Sequence, residues 1–313
     1  MNSVRLPGRL YLPVPDFEDH LHAELSREGR APRRLGRLLH DPEAPAPAVF
    51  WHQNCWLEPF RLEFSSVGEA AAALRGIQRN WNACLHAFFR RGALIASKLP
   101  PMSAKPRPFP WTPGDAPMGA WTLLDERTMV ASARCSSPFP GGAVEFAHDR
   151  EAPPSRAYLK LWEALARLGA HPAPGDRCLD AGASPGGWTW ALAKLGASVL
   201  AVDRAPLDER IAAMPGVESL RRDVFALRPA DIGAVDWLFC DVACYPPRLY
   251  EWIGEWLASG LCRRFVCTIK MQGAIGQGGV DFDTPRRFAE IPGGEVVHLF
   301  HNKHELTWML RSQ

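Results

Sequence analysis

The sequence predicts an α/β protein: a mainly parallel sheet with an antiparallel last strand, preceded by a smaller α+β region. Three observations carry that expectation. From Pro153 onward short apolar runs alternate with amphipathic segments, the pattern of a sheet covered by helices on both faces. Residues 1 to about 110 instead follow a β-α-β-β-α order. Between the two lies a Pro-rich stretch, PPMSAKPRPFPWTPGDAP, over 100–117. The boundaries expected are therefore 1–110 for the first region, 111–150 for a linker with a β-hairpin, and 151–313 for the sheet domain.

The elements follow in order. LYLPVP (10–15) predicts a strand, and Asp16 caps a helix to about Arg27 with Asp19 three residues on. Strands follow at 49–51 and 60–64, then a helix from Ser66 to about Arg79. A hairpin is expected at 120–124 and 128–134, turning at Asp125-Glu126. In the second region a helix spans 156–168. Strands are expected at 177–181, 198–203, 217–222, 235–241, 264–270, 295–300 and 306–311. Helices fit at 186–195, 206–214, 246–258 and 284–290.

Composition excludes several classes. Of 313 residues 47% are hydrophobic and 22% charged, a balance that supports a packed core rather than disorder. No window approaches the roughly 18–20 apolar residues of a membrane span. The opening MNSVRLPGRLYLPVPDF lacks an apolar run, so no secretory signal is expected. The eight cysteines form no C-x-x-C pair, which fits reduced thiols and a cytoplasmic location.

The net charge of +2 hides a local bias. No acid occurs between Glu69 and Asp115, while Arg75, Arg79, Arg90, Arg91, Lys98, Lys105 and Arg107 alternate with Trp81, Phe88, Phe89, Phe109 and Trp111. Arg27, Arg30, Arg33, Arg34 and Arg37 form a second run, broken only by Glu28. Basic groups interleaved with aromatics suit a phosphate backbone and unstacked bases. A solvated basic face over core aromatics would give the same pattern.

Chemistry-bearing residues fall at strand ends, where ligands bind open α/β sheets. The first strand ends in DAGASPGGW: Asp180, then Gly182, Ala183, Ser184, Pro185, Gly186, Gly187 and Trp188. This is not the G-x-G-x-x-G fingerprint of nicotinamide cofactors. Asp203 ends the second strand, suitably for ribose hydroxyls, and Asp223 ends the third, suitably for an adenine amino group. Asp241 ends the fourth and Lys270 the fifth. The chain has six lysines against thirty arginines, which makes Lys160 and Lys270 conspicuous, because lysine can be tuned toward a base where arginine cannot. Glu305 precedes the last strand. His298, His301 and His304 share a metal-like spacing, but the segment leaves a strand for a turn, so no metal is expected. The glycine-rich 273–279 loop is expected to be mobile, not a phosphate cradle.

D-x-G-x-x-P-G-G is the form found in S-adenosylmethionine (SAM) methyltransferases. Lys160, Asp241, Lys270 and Glu305 around it resemble the K-D-K-E set of the FtsJ-type ribose 2′-O-methyltransferases. The strings PPSRAYLKLWEA, LDAGASPGGWTW, AVDRAP, LRRDVFALRP, VDWLFCD, WLASGLC and HELTWML carry this resemblance over 136–313. They are most similar to the group that methylates a cytidine of 23S rRNA. The resemblance implies a Rossmann-like class I sheet, SAM as cofactor and RNA, as 23S rRNA or its precursor, as partner. It implies Lys270 as general base, with Asp241 orienting it and Lys160 and Glu305 positioning the ribose. It also implies an N-terminal THUMP-like and ferredoxin-like RNA-binding region, here shortened. Two other outcomes remain open on the residues. One is 2′-O-methylation of another RNA, a tRNA or a different rRNA site. The other is a non-catalytic SAM-binding RNA-binding or assembly factor.

Overall fold

The computed structural model describes residues 2–27, 29–44, 48–103, 105–271 and 279–311. Positions 273–278 of the glycine-rich loop lie outside them. The chain divides into two compact units, residues 1–107 with 113–145, and residues 108–112 with 146–313.

The first unit contains β1 (Asn2–Arg5), β2 (Arg9–Pro13), α1 (Glu18–Ser26), β3 (Arg33–Leu35), β4 (Leu38–Asp41), β5 (His52–Trp56) and β6 (Pro59–Glu63). It continues with α2 (Val67–Ile77), β7 (Trp81–Ala83), α3 (Phe89–Ala96), β8 (Gly119–Leu123) and β9 (Thr128–Ser132). They build two sheets, ordered β1-β6-β9-β8-β7 and β3-β4-β2-β5. Ser66 caps α2 by accepting from the Glu69 amide at 3.1 Å, and the Glu69 carboxylate accepts from the Ser65 amide at 2.7 Å. Such reciprocal bonds satisfy amides that a helix start leaves open.

Several expectations change here. Asp16 does not cap α1: it adopts φ +67°, and Phe17 takes the cap position without a side-chain bond. The strand expected at 49–51 lies at β5, because the Phe50 and Trp51 amides are held by the buried Glu24 carboxylate at 2.8 and 3.2 Å. α3 was not foreseen in the basic stretch. Arg30 is no surface group: it makes a buried 2.6 Å ion pair with Asp41. The hairpin is no part of a linker. Every residue of β8 and β9 is buried, and the two strands join the five-stranded sheet between β6 and β7. Two fully buried strands need such neighbours, since a lone hairpin is marginal in water.

The second unit contains α4 (Tyr158–Leu168), β10 (Arg177–Ala181), α5 (Gly187–Lys194), β11 (Ser198–Asp203), α6 (Glu209–Ala212), β12 (Val217–Arg221) and α7 (Pro229–Ile232). It continues with β13 (Trp237–Cys240), α8 (Pro246–Ser259), β14 (Phe265–Lys270), α9 (Asp283–Ala289), β15 (Gly294–Val297) and β16 (Glu305–Leu310). Its seven strands run in the order β12-β11-β10-β13-β14-β16-β15. All pairings are parallel except those of β16, which is antiparallel to β14 and β15. Strand order reverses between β10 and β13, so the crevice that binds ligands in such sheets opens there. Phe109 stacks on Trp162 at 4.7 Å, which places residues 108–112 with this unit. The strand expected at 295–300 stops at Val297. The following residues instead form a hydrogen-bonded turn, with the His298 ring donating to the Lys303 carbonyl at 2.8 Å.

Candidate active site

Lys270 closes β14 and Glu305 opens β16. The antiparallel register sets them directly opposite each other, where side chains share one face and touch. Asp241 follows β13, the strand beside β14. Lys160 lies in the first turn of α4 and is buried. These four residues meet in a closed square. Lys160 Nζ donates to Asp241 Oδ2 at 2.8 Å and Glu305 Oε1 at 2.9 Å. Lys270 Nζ donates to Asp241 Oδ1 at 2.5 Å and Glu305 Oε2 at 2.9 Å. Two cations and two anions thus neutralise each other in a mostly buried cluster whose protonation is coupled.

The square sets its own proton affinities. Burial alone would lower the pKa of Lys270, but Asp241 and Glu305 outweigh it and hold the ammonium above the usual lysine range. Burial likewise opposes the charges of Asp241 and Glu305, yet the two lysines keep both carboxyls below their ordinary values. Lys270 is therefore a cation in this arrangement.

A residue that sequence reasoning missed fixes one corner. Glu163, one helical turn after Lys160, is wholly buried and accepts from the Phe300 and His301 amides at 2.9 and 3.0 Å. It ties the turn leading into Glu305 to the helix that bears Lys160. Asn302 closes the same turn by donating to the Glu305 carbonyl at 3.1 Å. Burial pushes the Glu163 carboxyl up to about 7, against the pull of Arg167 and the two amides. Only its helical spacing from Lys160 could have hinted at this.

A cavity of about 260 Å³ opens at the strand ends, lined in part by Gly182, Ser184, Asp203, Asp223, Phe225 and Asp241. Asp203 accepts from the Ser184 and Ala205 amides at 3.1 and 2.9 Å. Asp223 accepts from the Phe225 amide at 3.0 Å. Arg248 reaches within 3.7 Å of Asp223, and its guanidinium lies 4.2 Å over the Phe225 ring. Phe225 and Arg248 were not singled out from the sequence. The signal available was the aromatic two residues after a strand-ending acid.

Not every residue of the DAGASPGGW turn lines this cavity. Asp180, Ala183, Pro185, Gly186, Gly187 and Trp188 are absent from its wall. Asp180 is buried beneath the turn, with Oδ2 accepting from Thr189 Oγ1 at 2.6 Å. A side chain at Gly187 would strike Ser155 Oγ at 2.5 Å, so the helix start packs against the segment before α4. Trp188 turns the same way. Its indole donates to the Ala157 carbonyl at 2.9 Å, and Lys160 Nζ sits 5.9 Å over its ring. It therefore supports the lysine square rather than walling the cavity. Among the described residues no three His, Cys, Asp or Glu side chains gather as metal ligands.

The reversal of strand order, the lone antiparallel strand and a cavity ringed by strand-end acids define a Rossmann-like methyltransferase fold. Residues 153–275 match the FtsJ-like methyltransferase family. It is similar to the ribosomal RNA large subunit methyltransferase M of Halorhodospira halophila, at 39% identity over 47% of this chain and 43% of that protein. For the protein of that name from Alkalilimnicola ehrlichii the identity is 40%, over 59% and 54% of the two chains. For that of Xanthomonas campestris pv. campestris it is 34%, over 65% and 56%. The match spans about half the length of these relatives. Likeness to solved structures is slight: one named as a hemolysin, from Streptococcus thermophilus, gives a TM-score of 0.42 at 21% identity over 54% of this chain and 70% of that one.

SAM is the cofactor of this class, and the residues present fit it. Asp180 Oδ1 is buried and has no hydrogen-bond partner among the described residues, and burial, with Asp241 and Asp203 adding, raises its carboxyl to about 7. Asp180 lies beneath the turn and off the cavity wall, so the fit to the cofactor rests on the wall residues. Asp203 and Asp223 offer acceptors for hydroxyl and amino groups, and Phe225 offers an aromatic face for adenine.

Proposed function

We propose that this protein transfers a methyl group from SAM to a ribose 2′-OH of RNA, on a cytidine of 23S rRNA or its precursor, in the cytoplasm. The observation that carries this is the Lys160–Asp241–Lys270–Glu305 square at the mouth of the cofactor crevice. Asp241 belongs to both the square and the cavity wall, so it joins the cofactor site to the reacting group. Similarity to the large-subunit methyltransferases M supports rRNA as the substrate.

SAM supplies a methyl group on a sulfonium, which already has a good leaving group. What the chain must add is a better nucleophile, because a ribose hydroxyl is a weak acid. Lys270 receives the 2′-OH proton as the oxygen–methyl bond forms and the sulfur–methyl bond breaks. Asp241 aims Lys270, and Lys160 and Glu305 hold the ribose in line. Lys270 must first lose its own proton. Its carboxylate partners oppose that loss, whereas Lys160 and any second cation brought into the cleft favour it. Hydrogen bonds diverted from Asp241 and Glu305 to the ribose would release Lys270 further.

The test is methyl incorporation from radiolabelled SAM into 23S rRNA that lacks the modification, with the product mapped by nuclease mass spectrometry. A 2′-O-methylcytidine made by the wild type and lost in Lys270→Ala supports the proposal. Methylation that survives Lys270→Ala removes Lys270 as base. No incorporation into 23S rRNA, with SAM bound, shifts the substrate to another RNA or ends the catalytic reading.

A further inference from the structure

The aromatics of the basic stretch separate once the chain is folded. Trp81 is buried in the first unit, and Phe109 stacks on Trp162 in the second. Phe88 and Phe89 instead face solvent, 38% and 62% exposed. They stand at the start of α3, and Phe88 holds φ +53°, a conformation that bulky residues rarely adopt without a compensating role. The opposite face of α3 is fixed: a side chain at Gly92 would meet Leu85 Cδ1 at 2.3 Å. α3 therefore cannot roll to bury its outer face.

That outer face carries two neighbouring rows, Phe89–Ala93–Ser97 and Arg90–Leu94–Lys98, all exposed. Leu94 is 57% exposed. α2 extends the surface, since Arg75 donates to the Lys98 carbonyl at 2.5 Å, and Ile77 and Arg79 follow it on the exposed side. No acidic residue occurs anywhere from 70 to 114. Bare rings beside cations in an acid-free stretch of chain suit a ligand that is polyanionic and aromatic at once. A folded protein partner of ordinary composition would bring acids and bases together. A duplex would offer phosphates, but its bases are already stacked.

We infer that the outer face of α3, with Phe88 and Phe89 as stacking platforms and Arg90 and Lys98 as phosphate contacts, docks an unpaired stretch of RNA. This goes beyond the methyl-transfer chemistry, and it rests on RNA being the substrate. Aromatic platforms grip unpaired bases with little regard for sequence, and flanking cations track the backbone.

Fluorescent single-stranded and duplex RNA oligonucleotides, titrated onto the full chain over a salt series, test it. Phe88→Ala/Phe89→Ala, which removes two stacking platforms, is expected to weaken single-strand binding at least about 30-fold without changing its salt slope. Arg90→Ala/Lys98→Ala is expected to flatten that slope by about 1.4, at roughly 0.7 per phosphate contact. Phe89→Trp, which keeps a stacking face, should bind as the wild type does. Because Phe88 sits in a strained turn, Phe89→Ala alone is the second variant, with the thermal midpoint and SAM binding as checks on folding. Single-strand affinity unchanged in Phe89→Ala and in the double variant overturns the inference and gives the face to another class of partner. So does equal weakening of duplex and single-strand binding by Phe89→Ala. A wild type that methylates RNA while the ring variants bind it normally leaves the proposed function standing and removes only this surface. A wild type that neither binds nor methylates RNA removes both.

Discussion

The two units use charge in opposite ways. In the second, the charges of the candidate site are paired and mostly buried: each lysine of the square touches both carboxylates. In the first, Arg90 and Lys98 lie open around bare rings. A paired, buried cluster has one geometry and suits chemistry, where a displacement of an ångström is costly. An open basic face has many geometries and suits a flexible polyanion, at the cost of sensitivity to salt.

The largest effect expected is on Lys270. Lys270→Ala should lower kcat by about 10²- to 10⁴-fold, the usual contribution of a positioned base, with SAM affinity retained. A single-turnover assay beside a SAM titration checks both. Loss of SAM binding in that variant would break the contrast between the square and the cofactor wall.

The pH dependence is next. The carboxylates hold Lys270 above the ordinary lysine range, so its free-base fraction is small at neutral pH and grows tenfold per unit of pH. The logarithm of kcat should rise with pH into the alkaline range, read from initial rates under saturating RNA and SAM. The stability signs are separate. The Lys270 contribution is full below its unfolded pKa and lost as pH rises through the folded one. Those of Asp241 and Glu305 are present above their unfolded values and lost on acidification through the lowered ones. A flat rate profile would rule out Lys270 as the proton acceptor.

Glu163→Gln should cost about 1–3 kcal/mol of stability, because an amide cannot accept two backbone N–H bonds through two oxygens. It should also lower kcat more than the KM for SAM, by loosening the turn before Glu305. Wild-type Glu163, raised to about 7, loses its stability contribution as pH rises from about 4.5 to about 7. Denaturant melts of both forms across that window should show a steeper slope in the wild type, the slope left in the variant coming from Asp180, likewise raised to about 7.

The smallest effect sits in the cofactor wall. Phe225→Ala should weaken SAM binding by about 2- to 10-fold, the worth of one aromatic contact, and leave the rate at saturating SAM near that of the wild type. Calorimetry of SAM binding reads it directly.

How much of this was legible in the sequence depends on how far each feature reaches along the chain. The seven strands of the second unit follow from local alternation of apolar runs and helical patterns, and the acids at or just beyond the ends of four of them, Asp180, Asp203, Asp223 and Asp241, are visible in the sequence. Ser66 at the start of α2 is similarly a local signal. The first unit was less legible. β1, β3, β4, β7 and α3 span only three to eight residues each, too short to stand out. β8 and β9 look like an isolated hairpin until β6 and β7 are set beside them.

The sequence by itself determined which groups could do chemistry: an arginine-rich chain that keeps Lys160 and Lys270, acids at strand ends, a glycine turn, and a stretch of cations and rings. Only the tertiary structure decided which of them meet. Glu305 faces Lys270 across 35 residues because β16 runs antiparallel to β14. Glu163 reaches Phe300 and His301 across 137 and 138 residues. Phe88 and Phe89 stay outside while Trp81 goes in. The reason is physical: periodicity is set by neighbours a few bonds away, whereas partners, burial and proton affinity are set by groups that come together only when the chain packs.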